Sequence, residues 1–72
     1  MMSFEEKTER TVNFLHDAIL KIQQAMTLLK FAKSSGTLNG VERRIIDSIY
    51  VNLVEEIERI YAVEQAQRIS IK

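Results

Sequence analysis

The chain has 72 residues, no cysteine, and ten basic side chains balanced by ten acidic ones. It is therefore one small domain at most, without a disulfide framework, a thiolate metal site or a cysteine nucleophile. The basic excess of a domain that works by neutralising phosphates is missing, and it is missing from both halves: five basic and four acidic residues through Gly36, then five and six.

The opening stretch, "MMSFEEKTER", is too acidic and polar for a secretory signal. No apolar run approaches the roughly 20 residues that span a bilayer. The expectation is an intact, soluble, cytoplasmic chain. From Ser3 onward, Val12, Leu15, Ile19, Ile22, Met26 and Leu29 recur at intervals of three and four, which is a heptad seam on a helix. Ser3 and Glu6 have capping-box spacing. Glu5 and Glu6 suit the electropositive start of a helix, and Lys30 and Lys33 suit its end.

The chain then pauses at "KFAKSSGTLNGVERR", which holds both of its glycines, Gly36 and Gly40. Gly36 can adopt positive φ and close the first helix. Asn39, with Glu42 three residues on, can cap a second one. Ile46, Ile49, Leu53, Ile57 and Ile60 form the central stripe of that second helix, and Ile45, Tyr50, Val54 and Tyr61 widen it. The last stretch, "QRISIK", alternates and is expected to fray. A loop this short makes two long helices antiparallel neighbours.

A hairpin of this kind hides one stripe per helix, and this chain has more. Beside the first seam runs a second line: Phe14, Ala18, Ala25, Leu28 and Ala32. Ala18, Ala25 and Ala32 repeat every seven residues. Alanine is also the best helix former, so the repeat has a purely local explanation as well. A chain this small with no disulfide or obvious metal site usually completes its core by oligomerisation or by binding a partner.

Candidate chemistry is sparse. His16, the only histidine, falls among polar neighbours, Gln23 and Thr27, away from the seam. Asp17 follows it directly, so the two side chains diverge on a helix. Glu55, Glu56 and Glu58 read as a solvated face, because no second helix offers matching Glu and His at the spacing of a carboxylate metal site. Arg43 and Arg44 are flanked by Glu42 and Asp47 with no aromatic between them. Tyr50 and Tyr61 read as amphipathic interface residues. No glycine-rich phosphate loop and no nucleophile with a base is in view. No enzyme activity, cofactor, metal or nucleic-acid partner is expected.

Three stretches carry a resemblance: Ala25-Met26-Thr27-Leu28-Leu29-Lys30, then Ser34-Ser35-Gly36, then Leu53-Val54-Glu55-Glu56-Ile57-Glu58-Arg59-Ile60-Tyr61. Over roughly residues 20 to 62 the pattern resembles the small E-type co-chaperones of bacterial type III secretion systems. The chain length is similar to that of the attaching-and-effacing branch. The chain departs from the pattern in the extra Asn39-Gly40 of its turn, and in Val41 and Arg43-Arg44 at the start of helix 2. The resemblance implies a partner, a larger helical-repeat G-type chaperone, which the E-type member stabilises. Together they would keep the needle subunit of the secretion system from premature polymerisation in the bacterial cytoplasm.

The reading is therefore an all-α protein, one domain over residues 1–72. It is an antiparallel two-helix hairpin that packs on further helices of a partner. Helix 1 spans about 3–34, the turn 35–39 and helix 2 about 40–67. The partner-binding residues are Phe14, Ala18, Ala25, Leu28, Ala32, Tyr50, Val54 and Tyr61. The alternative is a self-assembling structural or regulatory hairpin, either a homodimer or an antagonist of a transcription factor.

Overall fold

Two helices, α1 (Phe4–Ser34) and α2 (Gly40–Ile69), fold back on one another in the computed structural model, which describes residues 3–69. The chain is all-helical and packs as a hairpin, with no strand among the described residues. The hairpin is a rod of 54 × 17 × 12 Å.

Each helix end has a local cause. Ser3 keeps an extended backbone, and its hydroxyl oxygen accepts the Glu6 N–H at 3.2 Å. That satisfies one of the donors that a helix start leaves open. At the other end of α1 the Ser35 hydroxyl donates to the Ala32 carbonyl at 2.7 Å, and the Ser35 N–H reaches the same oxygen at 3.2 Å. Gly36 then takes φ +82°, the left-handed conformation that reverses the chain. At the start of α2 the capping box is complete: Asn39 Oδ1 accepts the Glu42 N–H at 2.8 Å, and Glu42 Oε1 accepts the Asn39 N–H at 2.9 Å.

The C-terminal end differs from expectation. Arg68 and Ile69 continue α2 past its expected end near Gln67. Arg68 reaches back one turn to Glu64, with Nη2 at 3.0 Å and Nε at 3.3 Å from Oε1, which ties the last described turn to the one before it. The rest of the "QRISIK" stretch, residues 70–72, lies outside the described residues.

The two glycines do different work, and substituting each should show it. Gly36 has positive φ, so Gly36→Ala is expected to cost about 1 kcal/mol of stability. Gly40 lies outside that region, and a Cβ there would meet nothing within 4 Å. Gly40→Ala is expected to stabilise the chain by about 0.5 kcal/mol by restricting its unfolded state. Urea melts of the two variants should move in opposite directions; a shared direction would mean that the turn does not depend on the Gly36 conformation.

The contacts between helices set the register. Lys33 Nζ lies 2.6 Å from Asp47 Oδ1, the Lys30 ammonium lies 5.5 Å from the centre of the Tyr50 ring, and His16 Nδ1 lies 3.7 Å from Glu64 Oε2. Each step back along α1 is matched by a step forward along α2, as antiparallel packing requires. The α1 seam is as expected, with Val12 and Ile19 buried and Leu15, Ile22, Met26 and Leu29 half-buried. The α2 seam is shifted from the expected stripe. It runs through Ile46, Tyr50, Leu53, Ile57 and Ile60 to the buried Glu64, while Ile49 stands 40% exposed on the flank. The reason is phase. Intervals of four and three alternate strictly along this line and keep it facing α1, whereas the path through Ile49 takes two steps of four in succession and drifts off.

Candidate partner-binding surface

The register sorts the flanking side chains into two faces of the rod. His16, Gln23 and Lys30 recur every seven residues along one side of the α1 seam. The contacts of His16 and Lys30 place the Asp47, Val54, Tyr61 and Arg68 row of α2 beside them. Leu20 and Val51 stand further out on this side. The Ala18, Ala25 and Ala32 row therefore borders the other side, opposite the α2 row of Ile49, Glu56 and Val63.

The candidate residues thus do not form one patch. Phe14, Ala18, Ala25, Leu28 and Ala32 share the broad second face. Phe14 and Leu28 are 66% and 67% exposed, Ala32 is exposed, and Ala18 and Ala25 are half-buried at the edge of the seam. Val54 and Tyr61 lie on the opposite face and are only partly covered. Tyr50 belongs to neither: it is a half-buried seam residue beneath Lys30. With Leu29, Lys30, Lys33, Ile46 and Asp47 it lines a shallow recess near the turn.

Three residues of the broad face were not among the candidates. Ile45, Ile49 and Val63 of α2 are exposed and extend the apolar line of α1 across the groove. The signal was in their spacings of four and fourteen residues, the second being two heptads. What hid it was the assignment of Ile49 to the seam, which removed the middle of the row. Polar interruptions on this face include Lys21, Asn52 between Ile45 and Arg59, and the ion pair between Arg59 and Glu56 at 3.1 Å. The opposite face is more polar, since its α1 row is His16, Gln23 and Lys30.

The exposed apolar surface follows from the shape of the fold. Among the described residues the buried apolar side chains are Val12 and Ile19 alone. Phe14, Leu28, Ile45, Val51 and Val63, by contrast, are each about half exposed or more. A single exposed leucine means nothing, but a cluster of exposed apolar side chains on one face is the usual mark of a binding surface. The rod's 54 × 17 Å outline has room for one standard interface, about 800 Å² per partner.

His16 departs from its expected place. It stands at the edge of the seam, its side chain 55% exposed, with Nδ1 toward Glu64 of the other helix. Glu64 is the residue that the sequence reading missed altogether. It is 5% exposed and occupies a seam position where an apolar residue would be usual. Its Oε1 is held by Arg68, while its Oε2 is buried without a hydrogen-bond partner. Continuing the alternation past Ile57 and Ile60 would have reached it.

Glu55, Glu56 and Glu58 are all exposed, as are Arg43 and Arg44. Among the described residues no group of three or more His, Cys, Asp or Glu side chains is placed to hold a metal ion, and no helix is long and apolar enough to cross a membrane. No protein-family model, curated protein or solved structure matches the chain.

Proposed function

We propose that this hairpin is a co-chaperone-type binding module whose broad apolar face is covered by helices of a larger protein in the bacterial cytoplasm. One observation carries the reading: Phe14, Leu28, Ile45 and Val63 stand exposed along one face of a rod whose buried apolar side chains, among the described residues, are Val12 and Ile19. The alanine row between Phe14 and Ala32 supports a helical occupant, because small side chains shorten the distance at which two helix axes can pack. The resemblance to the E-type co-chaperones supplies the identity of the partner. It is a helical-repeat G-type chaperone and, through it, the needle subunit of a type III secretion system. In that role the hairpin has no reaction to catalyse. It lends apolar surface to the chaperone and stabilises it by mass action.

The test is co-expression with a G-type chaperone and a needle subunit from the same genome, with particle mass followed by light scattering. The expected result is a soluble complex holding one needle subunit, which aggregates or polymerises when the hairpin is left out. Two results would sink the proposal. In one, the chaperone and needle subunit stay soluble and monomeric without the hairpin. In the other, the hairpin forms a stable homodimer that ignores both, which would support the self-assembling alternative.

A further inference from the structure

Glu64 is buried at a seam position near the open end of the hairpin, and its two oxygens differ. Oε1 accepts two hydrogen bonds from Arg68, at 3.0 and 3.3 Å. Oε2 is buried without a hydrogen-bond partner. Across the seam on α1, His16 Nδ1 lies 3.7 Å from Oε2, just beyond hydrogen-bond length. A buried acceptor without a donor weakens the fold where it sits.

We propose that His16, Glu64 and Arg68 form a protonation-controlled latch at the open end of the hairpin. In the doubly protonated imidazole both ring nitrogens donate and the ring is positive, so Nδ1–H is drawn to Oε2 and both carboxylate oxygens are satisfied. The neutral ring has an Nδ1–H in only one of its two tautomers and carries no charge, so its pull on Oε2 is weaker. The end of the rod is therefore tighter at mildly acidic pH and looser at mildly alkaline pH. Other charged groups are nearby. From α1, Glu5 and Glu9 border the recess that Arg68 enters, and Asp17 follows His16 in sequence. Both recess glutamates are exposed and interact through solvent. From α2, Tyr61 lies one turn before Glu64. The latch is independent of what covers the broad face, so its test needs no partner.

The experiment is amide hydrogen exchange on the full chain at about pH 6 and about pH 8, the interval in which a histidine ordinarily changes charge, corrected for the intrinsic exchange rate. Protection of amides from Ile60 to Arg68 is expected to be about fivefold higher at the lower pH, equivalent to about 1 kcal/mol. Amides from Ile46 to Leu53, near the turn, should not share the change. His16→Gln is expected to abolish the difference, and to abolish any rise in melting temperature between the two pH values. Wild-type protection that is independent of pH would overturn the latch. So would a His16→Gln variant that keeps the wild-type pH response, because Glu64 or the recess glutamates would then be the groups responsible.

Discussion

A chain carrying both Phe14→Glu and Leu28→Glu is expected to fold as the wild-type hairpin does and to bind the proposed partner at least about a hundredfold more weakly. The two side chains are about two-thirds exposed, so the free hairpin gives up little when they change. Exposed substitutions usually shift stability by no more than about 0.5 kcal/mol. In a complex the same positions would be desolvated, and each glutamate would lose an apolar contact and bury a charge without a partner. A loss of about 3 kcal/mol across two anchors corresponds to roughly a hundredfold in affinity. The control is Val51→Glu, an apolar position on the opposite face that is about half exposed, which should keep wild-type binding. Ala25→Glu is a less clean probe, because half-buried Ala25 stands at the edge of the seam and its substitution strains the hairpin as well as the interface. Circular dichroism reports the fold and titration calorimetry the affinity. If the double variant binds normally and Val51→Glu does not, the interface is the Val54 and Tyr61 side.

Ile19→Ala is expected to unfold the free chain. Ile19 is 2% exposed and lies within the α1 seam. Truncating a buried isoleucine to alanine typically costs about 2–5 kcal/mol, part of it for the cavity left behind. Small domains have little more than that in total, and here the buried apolar side chains among the described residues are Val12 and Ile19. Leu20→Ala is the matched control one position further round the helix, where the side chain is about half exposed and its loss is worth tenths of a kcal/mol. Far-ultraviolet circular dichroism with increasing urea separates the two. Equal midpoints would mean that the seam does not run where the contacts place it. A partner that binds the folded hairpin and not the unfolded chain should restore helicity to Ile19→Ala. That rescue links the stability of this fold to the function proposed for it.

The latch and the broad face occupy different parts of the same end of the rod. Phe14 and Val63 lie on one side of the seam there, and His16 and Arg68 on the other. Loosening that end at alkaline pH would therefore leave the turn-proximal anchors, Leu28 and Ile45, as the better-ordered half of the binding face. Their neighbours are held by the Lys33–Asp47 pair and by the Lys30–Tyr50 contact.

The helices, their caps and the turn were legible from local sequence because local chemistry decides them. Ser3, Gly36, Asn39 and Glu42 act within four residues of themselves, by satisfying the orphan groups of a helix end or by permitting positive φ. The α1 seam was equally legible, since its alternation of three and four is uninterrupted from Val12 to Leu29. The excess of apolar surface also followed from the sequence, because two helices can cover only one stripe each. What the tertiary structure decided was everything that depends on the other helix. Ile49 and Tyr50 are adjacent and both apolar enough for the seam; the strict alternation of four and three passes through Tyr50, and the contact with Lys30 places it there. The split of the candidate residues into two opposite faces comes from antiparallel pairing, which sets the His16 row beside the Val54 row and so turns the alanine row toward Ile49 and Val63. Glu64 was hidden for the same reason: a charged residue reads as solvent-facing until a second helix is laid over it. His16 looked like a surface residue on its own helix and became a neighbour of that carboxylate only when α2 returned alongside. Helix ends depend on bonds a few residues long, whereas faces depend on contacts that span the hairpin, and no single-helix pattern contains those.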